Sequence, residues 1–96
     1  QSGPTDLSIR WLKISRADGS VKALLHNHGM HGVVFGPDML QVSADWMGEA
    51  NRLIKARQLA QTPFFLYGPA GNVNTRPCCL NQEKALSNFF LLSSLL

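Results

Sequence analysis

The chain has 96 residues, 45% of them hydrophobic, with two Trp, five Phe and a formal net charge of +3. That is one small domain with enough apolar material for a modest core, not a disordered tail. The nine basic residues are scattered, with no Lys/Arg run and no interleaved aromatics, so the charge balance argues for a soluble surface and against nucleic acid. No apolar run reaches the length of a transmembrane segment. The two cysteines, Cys78 and Cys79, are adjacent, which suits neither a disulfide framework nor a zinc ribbon. The chain opens QSGPTD, without Met or a secretory signal, and is expected to be part of a longer or processed polypeptide.

In chain order, Leu7 to Ser15 reads as a strand with apolar residues on both faces: Leu7, Ile9 and Trp11 on one, Leu12 and Ile14 on the other. Asp18-Gly19 is the strongest hairpin signal in the sequence. Val21 to His28 reads as the returning strand, broken by Gly29 and Gly32. Residues 33–42, built around Gly36-Pro37-Asp38, read as a loop. Ser43 is expected to cap a helix whose first turn holds Asp45, where a carboxylate suits the helix dipole. Trp46, Ala50, Leu53, Ile54 and Arg57 follow at helical spacing, and the helix is expected to run to about Gln61, before Pro63. Phe64 to Tyr67 reads as a third strand entering the loop GPAGNVNTRP. The order predicts an α/β fold: a small mixed sheet with an N-terminal hairpin, one main helix and a strand–helix–strand crossover. The expected core is Ile9, Ile14, Leu24, Trp46, Leu53, Ile54, Phe65 and Leu66. Residues 78–96 change character and form a divergent apolar tail, which could be an amphipathic helix.

Chemistry concentrates in HNHGMHG, His26 to Gly32. His26 and His28, two apart on a strand, would share a side, an acceptable metal-ligand spacing; His31 lies beyond the glycine break and could be aimed separately. A catalytic zinc needs three protein ligands and a structural zinc four. The competing reading, favoured for His26 and His28, is that such imidazoles are hydrogen-bonding groups or face water. Asp45 likewise has two readings. As a helix N-terminal carboxylate it contributes roughly 0.3–1 kcal/mol, and it could instead orient a metal-bound histidine; spacing favours the first. GPAGNVN follows a strand but is neither GxGxxG nor a phosphate-binding loop. Asn72 and Asn74 could cap it through side-chain-to-backbone bonds. No GxSxG elbow supports a serine hydrolase.

Four segments in order resemble the catalytic domain of the neutral/alkaline, non-lysosomal ceramidase family, in its bacterial ceramidase-like members. They are GPTDLSIRW, Asn27 to His31 (NHGMH), GPDMLQVSADWMG from Gly36 to Gly48, and GPAGNVNT from Gly68 to Thr75. The resemblance covers about residues 3–77, so that 1–77 is expected to be a partial ceramidase-like catalytic domain. It implies a hydrolase with one Zn2+ that cleaves the amide of ceramide or a related N-acyl lipid, in sphingolipid metabolism. It implies His31 as a metal ligand, with the other ligands outside the chain. Neither Glu49, Glu83 nor Tyr67 matches a ligand position. Asn74 stands where ceramidases carry a serine implicated in catalysis. Asn72 or Asn74 would donate to a substrate oxygen, and Asp45 is the candidate partner that would hold His31 in its tautomer. The family is often secreted or periplasmic, and no signal here bears on that. A chain with one ligand of four should be inactive alone. The alternative is a non-catalytic α/β binding or structural module, the remnant of such an enzyme; a self-contained three-histidine metal domain is the third reading.

Overall fold

The computed structural model describes residues 3–76 and Cys78. Of the expected tail at 78–96, all but Cys78 therefore lies outside the described residues. The elements are β1 (Arg10–Ser15), β2 (Val21–His28), α1 (Asp45–Ala56) and β3 (Thr62–Tyr67). They form a three-stranded mixed sheet in the order β1-β2-β3. β1 and β2 are the antiparallel hairpin, turned at Asp18-Gly19 with Gly19 at φ +87. Asp18 accepts from the Ser20 amide at 2.8 Å, which fixes the turn. β2 and β3 are parallel, from Ala23 beside Thr62 to His28 beside Tyr67, and α1 makes the crossover between them. The fold class read from the sequence is the one observed. No helix among the described residues is long and apolar enough to cross a membrane.

Side chains alternate across the sheet. Trp11, His26 and Phe65 stand in register on one face. Over it lies α1, whose Trp46 ring meets Phe65 edge-on at 5.1 Å. Leu12, Leu25 and Phe64 stand in register on the other face, which no described element covers. The expected core is corrected by this geometry. Leu24, Trp46, Leu53, Ile54 and Phe65 are half-buried, but Ile9, Ile14 and Leu66 are exposed, at 67%, 45% and 49%. α1 packs towards β3, leaving Ile9 uncovered beside β1, while Ile14 and Leu66 point away from the helix. The buried hydrophobic residues are instead small or lie in loops: Ala23, Val34, Ala60 and Ala70.

The helix is shorter than its apolar pattern predicts. It ends at Ala56 because Gln58 turns left-handed, at φ +56. The Gln58 amide then donates to Lys55 O and the Leu59 amide to Ile54 O, both at 3.0 Å. This pair of bonds is the Schellman closure of a helix C-terminus, with glutamine where glycine is usual. Pro63 lies inside β3 rather than marking the helix stop. Its missing amide is tolerated on an edge strand.

At the far end of the parallel pair, the chain closes through contacts that leave no room for a side chain. A Cβ on Gly29 would sit 2.1 Å from Pro69 O, and one on Gly68 would sit 2.9 Å from the Gly29 nitrogen. Gly68 N donates to His28 O at 3.1 Å across this contact. Gly29→Ala should therefore cost about 3 kcal/mol, read from the urea midpoint. Gly71→Ala, with open space around it, should stay within about 0.5 kcal/mol of wild type. Gln58→Gly should gain about 0.5 kcal/mol, the relief of left-handed strain partly offset by a freer unfolded chain.

Candidate functional site

The three histidines point to different partners. His26 is buried, with its ring 5.4 Å from Phe65, and its Nε2 lies 2.7 Å from Asn51 Oδ1 on α1. A carboxamide oxygen only accepts, so Nε2 donates. His28 Nδ1 donates to Ser8 O at 3.0 Å. Ser8 is held by Asp6, which accepts from its amide and its hydroxyl. Those two bonds and the Arg10 guanidinium beside it hold the Asp6 carboxyl down at about 2. His26 and His28 both face a groove of about 690 Å³ between α1 and β1, with Trp11, Leu24, Trp46 and Ile54. They act there as hydrogen-bonding groups.

His31 stands apart, beyond the Gly29 break and over the carboxyl end of β3. Its amide donates to Val73 O at 2.9 Å, and its carbonyl accepts from Trp46 Nε1 at 3.0 Å. Its Nδ1 lies 3.0 Å from the Tyr67 hydroxyl. Backbone and ring are thus fixed from three elements: the 68–75 loop, α1 and β3. Tyr67 is the residue that sequence reasoning missed in this role. It lies 36 positions from His31, and only the parallel pairing of β2 and β3 brings the two together.

Asp45 is buried and serves backbone amides. Its carboxylate accepts from Val34 N at 3.3 Å, Phe35 N at 3.1 Å and Trp46 N at 2.7 Å. Its φ of +51 is left-handed, and those bonds hold it there. Ser43 was expected to cap the helix; its hydroxyl accepts from the Asp45 amide at 3.0 Å, while the residue before the helix is Ala44. None of these bonds reaches His31.

Asn72 and Asn74 lie on the loop whose Val73 carbonyl holds His31. Asn72 Nδ2 donates to Pro4 O at 3.3 Å, tying the loop to the residues before β1. The Asn74 side chain is exposed on the same loop. Thr75 is buried, and its hydroxyl has no hydrogen-bond partner among the described residues.

A zinc ion would need at least three protein ligands. His28 and His31 each have a partner at Nδ1, which leaves Nε2 open in both. No group of three His, Cys, Asp or Glu converges among the described residues. The described residues therefore do not make a zinc site by themselves, and the three histidines do not form one together. The chain matches no protein-family model, and no curated protein or solved structure matches it.

Asp45→Ala should cost about 2 kcal/mol by stranding the Val34 and Phe35 amides. Asp45→Asn, which keeps one acceptor and tolerates the left-handed backbone, should lose less. Denaturant midpoints of the two variants check this order.

Proposed function

We propose that this chain is part of a zinc-dependent amide hydrolase resembling neutral ceramidase, in which it supplies one metal-binding imidazole and one wall of the pocket. The observation that carries the reading is the position of His31. It stands at the carboxyl ends of a parallel strand pair, the place where open α/β sheets hold their ligands, with its backbone pinned by the loop that carries Asn72 and Asn74. When bound, zinc would polarise the scissile carbonyl and lower the pKa of its water towards ~7.

The chain's own residues have narrower tasks. His31 offers a neutral imidazole. Asn74, exposed beside it on the loop, donates its amide N–H to the substrate oxygen. Asn72 holds the loop through Pro4, and Asp45 holds the turn before α1. The substrate class is ceramide or a related N-acyl lipid, and the remaining ligands come from outside the chain, which is inactive alone. The face at Leu12, Phe64 and Leu66, uncovered among the described residues, suits contact with further polypeptide.

Zinc titration of the purified chain by calorimetry, with His31→Ala and His28→Ala alongside, tests the reading. No tight binding is expected, and any weak binding should vanish in His31→Ala and survive in His28→Ala. Tight binding lost in both variants would make the histidine cluster a site in its own right and defeat the proposal.

A further inference from the structure

We propose that residues 85–96 of this chain lie as a second helix in the groove between α1 and β1, parallel to α1 and over the strand that α1 leaves bare. No metal takes part. Strands lie ~4.8 Å apart and a helix is about 10 Å across, so one helix covers two strands of three. α1 packs towards β3, and the vacancy of about 690 Å³ falls beside β1. Its two walls are regular. On the helix, Trp46, Ala50 and Ile54 stand four apart and form one ridge ~12 Å long, with the smallest side chain at its centre. Along the strand, Ile9, Trp11 and Lys13 alternate on one face over ~13 Å. Ile9 and Trp11 are exposed there. A low centre between larger side chains admits the ridge of a neighbouring helix.

Sequence and charge name the occupant. Residues 85–96 read ALSNFFLLSSLL and carry no charged side chain, so burying them strands no charge. At helical spacing Ala85, Phe89, Leu92 and Leu96 fall on one stripe ~17 Å long, with Ser87 and Ser94 opposite. The chain reaches the groove at its Trp46 end. There Val73 O accepts from the His31 amide, and the His31 carbonyl accepts from Trp46 Nε1. Asn72 meanwhile donates to Pro4 O, ahead of β1. The nine residues between Thr75 and Ala85 can span up to ~33 Å, enough to enter the groove from that side. A helix entering there runs towards Lys13, the one charged side chain among the described lining residues. It sets its negative C-terminal end beside that ammonium.

The test is isotope-edited NMR of the full 96-residue chain, with the Trp11 indole as the probe. Nuclear Overhauser contacts are expected from that ring to Phe89 and Leu92, and not to Ser87 or Ser94. Phe89→Asp should abolish them and red-shift the tryptophan emission, because both tryptophans of the chain line the groove. Ser87→Asp, on the opposite stripe, should do neither. Ala50→Leu, which fills the centre of the ridge, should also remove the contacts while the β1–β2 amide pattern stays as in wild type. Wild-type contacts from residues 85–96 only to Leu12, Phe64 and Leu66 would put the segment on the other face of the sheet and overturn the proposal. Contacts seen only between differently labelled copies, or none at all to Trp11, overturn it equally.

Discussion

The constraint on which the site depends is the backbone contact between Gly29 and the Gly68-Pro69 turn. A residue that carries a Cβ at either glycine would meet the facing backbone. Here neither residue has one, and Gly68 N reaches His28 O. The turn after β2 can therefore cross the turn after β3 at contact distance. His31, three residues past the end of β2, lands over Tyr67 at the end of β3, and its amide finds Val73. A side chain at either glycine would separate the two turns and the imidazole from its phenol together.

Two polar systems then divide the work. Asp45 satisfies the amides of Val34, Phe35 and Trp46, and so fixes where the 33–44 loop meets the helix. Three amide bonds take up most of the acceptor capacity of this carboxylate. Trp46 hands this order on, with its ring packed on Phe65 and its Nε1 on the His31 carbonyl. The carboxylate acts on the imidazole through the helix, and the phenol acts on it directly. A tyrosine also differs from a carboxylate: its hydroxyl meets the His31 ring without adding a negative charge beside it.

The sequence made the elements legible wherever the signal was local. Asp18-Gly19 marks its hairpin through a backbone only glycine adopts readily, and the apolar spacing from Trp46 marks the helix. The helix end was hidden because Gln58 takes a left-handed conformation that its side chain does not advertise. The core was misjudged at Ile9, Ile14 and Leu66 because alternation tells which residues share a face, and not which face the helix covers. Asp45 was legible as a carboxylate at a helix start, but its bonds to residues 10 and 11 positions earlier were not. The Tyr67 contact is a product of parallel pairing, which no spacing within either strand reveals.

The packing and the site share one deficit. A three-stranded sheet with one helix buries one face in part, and no large side chain among the described residues is fully buried. Leu12, Phe64 and Leu66 stand in water on the other face, and Trp11 is 65% exposed beside α1. Side chains left about half exposed forgo on the order of half the roughly 1.5–3 kcal/mol that full burial of each would bring, and together that is a sizeable share of the 5–15 kcal/mol that separates folded from unfolded domains. The imidazole of His31 likewise presents one donor where a catalytic zinc takes three. On the proposed reading both have one source, further polypeptide that covers the open sheet and brings the remaining ligands to Nε2. Completing the core and completing the metal site would then be a single event, and the metal would bind tightly only where the sheet is covered.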